Sequence, residues 1–180
     1  MMNDELTQAI HNALCACLGL APDSTQAQTM IRRAYTEPEN TPRPARTADV
    51  IYWSLSPEAG GDPAAYNVAD VGGGSHVPTV HRYLAYQLLI VCYGPGCGAS
   101  AHKIRSFLYL DGAGLPRRIL RKAGIYPVPD PPAPQLLYEP VGSLWRRRAD
   151  LTISLRVRDT LVYSSRRNAI ESAPAVTIIK

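Results

Sequence analysis

The sequence predicts an α+β domain: a mixed, mainly antiparallel sheet with two consecutive helices packed on one face and a further helix at the N-terminus. Two observations carry this. The longest strand candidate, Val80 to Tyr93, and an alternating strand, Ala149 to Arg158, enclose two helical stretches that follow one another directly. A doubly wound sheet would instead repeat strand and helix in turn.

Taken in order, Asn3 is placed to cap a helix whose first turn carries Asp4 and Glu5, and Leu6, Ile10, Leu14, Cys17 and Leu18 recur on one face at helical spacing. Gly19 ends it, with Pro22 beyond, so residues 1–24 form the N-terminal helical segment. Its apolar face is expected to pack in its own core, with a partner chain as the alternative. Met30-Ile-Arg-Arg-Ala-Tyr35 suits either helix or strand. Pro38 to Pro44 suits neither, because closely spaced prolines force extended backbone. Asp49 to Leu55 is β-branched and aromatic, and reads as a strand. Pro57 to Pro63 and Gly72 to Ser75 read as loops.

Val80 to Tyr93 becomes apolar on both faces in its second half, which places it in the middle of the sheet. A helix follows from Ala99 to about Leu110, with Ala101, Ile104, Leu108 and Phe107 on its apolar stripe. A second helix starts at Pro116, in the favoured first turn, and stops at Gly124. Residues 126–134, rich in proline, form a stiff connector that cannot be a central strand. Beyond it Ala149, Leu151, Ile153, Leu155 and Val157 alternate with Asp150, Thr152, Ser154, Arg156 and Arg158, giving one buried and one wet face. Ala175 to Ile179 reads as a short final strand.

A chain of 180 residues, 46% hydrophobic, can bury one ordinary core, so 1–180 is expected to be a single domain. No apolar run reaches the roughly 20 residues that cross a bilayer, and the acidic start MMNDELTQAI is unlike a secretory leader. A soluble product made in the cytosol, without membrane contact, is the expectation. The net charge of +4 is mild beside the dense basic stripe of a specific nucleic-acid binder. Cys15/Cys17 and Cys92/Cys97 lack C-x-x-C spacing and read as reduced, packed thiols.

Val91-Cys-Tyr-Gly-Pro-Gly-Cys-Gly-Ala-Ser100 raises the question of a phosphate-binding loop. A Walker loop needs G-x-x-x-x-G-K-[ST], and Gly94, Gly96 and Gly98 do not give it. The dinucleotide pattern fits only loosely, with Ala99 where a third glycine would fall, and no βαβ unit surrounds it. The expected role is a tight turn of positive-φ glycines opening a helix. His11, His76, His81 and His102 have no metal-ligand spacing, and Asp62, Asp70 and Asp111 sit where carboxylates cap turns. No catalytic, cofactor or metal site is expected.

The cluster Trp145-Arg146-Arg147-Arg148 admits two readings. It is a solvated strand entrance with Trp145 covering a core edge, or it is a contact with protein or DNA, tryptophan and arginine being common interface anchors. An aromatic anchor beside arginine favours a protein interface, and Arg156 and Arg158 on the wet face are further interface candidates.

Four stretches, in the same order, resemble the phage neck or tail terminator family: Met30-Ile-Arg-Arg-Ala-Tyr35 with Pro42-Arg-Pro44; the strand Leu88 to Gly94 ending in Tyr-Gly before a helix; Leu115-Pro-Arg-Arg-Ile-Leu120 with Gly124-Ile125; and Trp145 to Ser154. The proline-rich connector, the Gly72 loop and the cysteines between Cys92 and Cys97 depart from the pattern. The resemblance implies a structural virion protein that caps the head-proximal end of the tail tube. It would join the tail to the head connector as a ring, usually of six subunits, with no enzymatic role. Implied partners are other copies of itself, the tail tube protein, the head-tail connector or adaptor and the tail sheath, with DNA passing through the lumen. Rival classes are a small nucleotide-binding enzyme using the Gly94–Ser100 loop and a basic DNA-binding module.

Overall fold

A computed structural model describes residues 4–34, 45, 47–58, 67–69, 79–110, 112–141 and 144–162. Helix α1 (Asp4–Leu18) buries Leu6, Ala9, Ile10, Ala13, Leu14, Cys15 and Cys17 in its own core. It ends in a Schellman turn. Gly19, at φ 76°, donates to Ala16 O at 3.2 Å, and Leu20 donates to Cys15 O at 2.9 Å. The stretch that suited helix or strand contains the boundary of both. A short helix α2 (Thr25–Met30), capped by Ser24 Oγ accepting from Ala27 N at 3.1 Å, passes directly into strand β1 (Ile31–Arg33).

The sheet continues with β2 (Val50–Pro57), β3 (Asn67–Ala69) and β4 (Thr79–Tyr93). After helices α3 (Cys97–Tyr109) and α4 (Leu115–Lys122) come β5 (Ile125–Pro127), β6 (Gln135–Val141) and β7 (Leu144–Val162). Among the described residues these make one seven-stranded sheet of order β1-β2-β4-β7-β5, with β3 against β4 and β6 against β7. Only β1–β2 is parallel. The α+β architecture is therefore as the sequence predicts. β4 pairs with β7 from Thr79↔Val162 to Tyr93↔Arg148, so the two longest strands form the spine of the sheet.

One face of the spine is dry because alternation is strict. Leu88, Ile90 and Cys92 of β4 lie opposite Ile153, Leu151 and Ala149 of β7, and Ile51 and Trp53 of β2 complete the row. Ile10 and Leu14 of α1, Ile104 and Leu108 of α3 and Leu120 of α4 are buried in the same core cluster. A truncation here, such as Ile153→Ala, is expected to cost about 2–5 kcal/mol.

Four sequence expectations are adjusted, the first being that Phe107, 36% exposed, stands off the buried stripe of α3. The connector begins later than residue 126, because Tyr126 and Pro127 belong to β5, an edge strand where a proline leaves no ladder bond broken. Its remainder runs along the edge of β7, held by Val128 N donating to Ser154 O at 2.9 Å and by Arg105 Nε of α3 donating to Pro132 O at 2.8 Å. Strands β3 and β6 were not anticipated, and β7 is longer at both ends than the alternating segment suggests. The final strand expected at 175–179, the Asn3 cap and the glycine-rich loop at 72–75 lie outside the described residues.

Candidate assembly surface

At the glycine turn, β4 leaves the sheet and α3 begins. Gly94 has φ 104°, and a Cβ there would stand 2.7 Å from Ala48 O and 2.9 Å from Asp49 Cα, so only glycine fits. Of the three glycines only Gly94 has the expected positive φ: Gly98 lies inside α3, and Gly96 has an ordinary φ of −87°. What Gly96 supplies is an N–H, which donates to Asp49 Oδ1 at 2.8 Å. The anion at the head of this helix is thus the chain's own carboxylate, which ties the start of β2 to the start of α3 across the sheet. Gly98 faces Leu136 of β6, whose Cδ2 lies 3.2 Å from where a Cβ would stand.

The same region shows how β7 divides the predicted Trp145 cluster. Successive residues of a strand point to opposite faces, so Trp145 and Arg147 share the helix-side face while Arg146 and Arg148 share the open face. On the open face Arg148 is committed. Its Nε and Nη2 donate to the two carboxylate oxygens of Asp150 at 2.6 Å each, which raises its pKa further above the arginine range. The Arg146 guanidinium lies over the Tyr93 ring at 4.5 Å, and Tyr52 meets the same ring edge-on at 6.0 Å. Burial first, then a hydrogen bond to Glu139, pushes the Tyr93 phenol up. Arg146 Nε and Nη2 are shut off from solvent without a hydrogen-bond partner among the described residues.

Trp145 covers no core edge. It is 71% exposed, which overturns the packing alternative for this residue. The reason is tertiary: β4 ends at Tyr93, opposite Arg148, and the last bond across is Gly94 N donating to Arg147 O at 3.3 Å, so among the described residues Leu144 to Arg146 pair with β6 alone. The β6–β7 hairpin therefore projects past the sheet as a two-stranded arm. It exposes Tyr138, Leu144 and Trp145, and Leu136 and Leu137 are exposed at its root, where β7 still has β4 on its other side. At its root a shallow hollow of about 190 Å³ is lined by Gly94, Pro95, Trp145, Arg146 and Arg147. A two-stranded ribbon is marginal in water, and these exposed side chains form an apolar patch on and beside it.

The remaining candidates lie elsewhere. Arg156, on the open face, pairs with Glu58 at 3.0 Å, while Arg158 is exposed beside Gly124. The structure thus does not bring Arg156 and Arg158 into the arm. Sequence reading missed the apolar half of the arm in β6, although Leu136-Leu137-Tyr138 followed by the two-residue spacer Gly142-Ser143 is a hairpin signal. His11 Nε2 lies 3.5 Å from Cys15 Sγ, and His102 is exposed on α3. His76, Asp62, Asp70 and Asp111 are outside the described residues. Among the described residues, no cluster of three or more His, Cys, Asp or Glu side chains could hold a metal ion, and no helix is long and apolar enough to cross a membrane.

A family model described as phage neck terminator protein matches residues 4–180. The chain belongs to that family. No curated protein matches it. Membership makes this neck terminator a structural protein of the phage tail, located in the neck of the virion and associated with other tail or head proteins.

Proposed function

We propose that this neck terminator caps the head-proximal end of the tail tube and joins it to the head connector as a closed ring, in which the β6–β7 arm carries the contact between neighbouring proteins. The observation that supports this is the arm itself: apolar side chains on both faces of a ribbon that has lost its sheet neighbour. Heterologous contacts of one chain with its copies close into a ring when the rotation per subunit fits, and six subunits is the number the resemblance implies. Trp145 with Arg147 on one face of the strand gives the aromatic-plus-arginine composition typical of interface hot spots.

The test is Trp145→Ala combined with Arg147→Ala. Both side chains are exposed, so the melting temperature is expected to stay within the range of an ordinary surface substitution, about 0.5 kcal/mol or less each. Ring particles in negative stain, ring mass by native mass spectrometry, and joining of tails to heads are expected to fall. Truncating a hot spot costs at least about 2 kcal/mol, or about thirtyfold in affinity. A folded double variant that still forms rings and joins tails normally would reject the arm as the interface. A wild-type protein that stays monomeric with tail tube present would reject the ring.

A further inference from the structure

We infer that helix α4 is the surface of this protein that meets the DNA backbone, a reading that rests on the proposed ring around the DNA passage. The inference starts from how the arginines and lysines are used. Arg148 is held by Asp150, Arg156 by Glu58, Arg105 by the connector carbonyls, Lys103 by Leu18 O at 3.1 Å, and Arg146 by the Tyr93 ring. The basic residues of α4 behave differently. The helix reads Leu115-Pro-Arg-Arg-Ile-Leu-Arg-Lys122, with four cations and no carboxylate in eight residues. Pro116 and Leu120 are buried, which fixes the helix on the core, while Arg118, Arg121 and Lys122 are exposed. The side chains of those three make no hydrogen bond or ion pair with a described residue.

The patch extends beyond the helix. Gly124, at φ 73°, turns the chain from α4 into β5, and its O accepts from Arg158 N at 2.8 Å. Arg158 Nε lies 3.7 Å from where a Cβ on Gly124 would stand, so this exposed arginine continues the row past the C-terminal end of α4. Arg118, Arg121 and Lys122 on the packed helix, with Arg158 just past its end, bring together four cations whose side chains have no partner among the described residues. The partner that such a surface fits is a polyanion with regularly spaced charges, and the phosphodiester backbone is that chemistry.

The absence of an aromatic stacking residue within α4 also fits DNA that moves. Exposed, solvated cations attract phosphates without reading bases and without fixing a register. The Trp145 arm has the opposite character, which assigns protein contact to the arm and DNA contact to α4.

The experiment is fluorescence anisotropy of the purified full chain with a labelled random-sequence duplex, over a salt series. Arg118→Glu/Arg121→Glu is compared with the milder Arg118→Gln/Arg121→Gln and with Arg156→Gln, all checked for an unchanged melt. The wild type is expected to bind without sequence preference and with a log–log salt slope typical of phosphate contacts. Removing two contacts is expected to lower that slope by about 2 and affinity at low salt by about tenfold or more, with Arg156→Gln unchanged. No salt-dependent DNA binding by the wild type would overturn the inference, as would α4 variants that retain both affinity and slope. Displacement of DNA from α4 by poly-L-glutamate at lower charge concentration than by competitor DNA would assign α4 to an acidic protein instead and also overturn it. Rings that form and join without α4-dependent DNA binding would sink this inference alone, whereas DNA binding by a chain that never forms rings would sink the proposed assembly and leave α4 standing.

Discussion

Gly94, Gly96 and Gly98 make the glycine turn a graded test of whether it is a corner or a ligand cradle. At Gly94→Ala the new Cβ meets backbone atoms of residues 48 and 49 at 2.7 and 2.9 Å, and φ of 104° is a strained region for any side chain. Backbone strain of this kind costs about 1–3 kcal/mol, and β2 must also shift, so about 3 kcal/mol or more is expected. For a chain of this size that corresponds to a fall of about 6–12 °C in melting temperature. Gly96→Ala meets only the Asp49 carboxylate, 2.7 Å from the new Cβ, and that side chain can swing away at the loss of its hydrogen bond. The expected cost is about 1–2 kcal/mol. Gly98→Ala lies in the first turn of α3 against the flexible end of Leu136, and is expected within about 1 kcal/mol of neutral because alanine favours the helix. The assay is thermal unfolding by circular dichroism, repeated with ATP, GTP and NAD, none of which is expected to shift the transition. Gly98→Ala as damaging as Gly94→Ala would refute the steric account. So would a saturable nucleotide shift abolished by Gly98→Val.

Burial pushes the thiols of Cys17 and Cys92 up to about 12 from an ordinary value of 9.0. A folded pKa raised above the unfolded one gives stability that is complete below about pH 9 and is lost as pH climbs toward 12. The melting temperature is therefore expected to fall across that alkaline window, and Cys92→Ala should flatten the fall; an unaltered alkaline profile would contradict it. Arg105→Ala removes the donor from the carbonyls of Pro131 and Pro132. It is expected to cost about 1–3 kcal/mol and to raise hydrogen exchange at Val128, while equal exchange in the variant would show that the β7 edge alone holds the connector.

The sequence by itself determined the fold class and the inner face of the sheet. Periodicity is a local property: Ala149 to Val157 alternate because every second side chain of a strand faces the core, and Leu6, Ile10 and Leu14 recur because a helix returns to one face each turn. It also determined the family, whose model matches residues 4–180 of the chain. Pairing was not legible. Whether Trp145 packs or projects depends on where β4 stops, some fifty residues earlier in the chain, and nothing near Trp145 records that Tyr93 lies opposite Arg148. Strand β6 was hidden because its proline-rich approach and Pro140 lower local strand propensity, while the neighbour that stabilises it, β7, comes later. The commitment of each arginine was likewise a tertiary matter. Arg156 and Arg158 share one wet strand face in sequence, yet Glu58 reaches only the first, and the turn at Gly124 draws the second to the end of α4. A one-dimensional pattern records which side of an element a residue takes, but the charges and strand ends it meets there are brought by distant segments, and only the folded chain decides them.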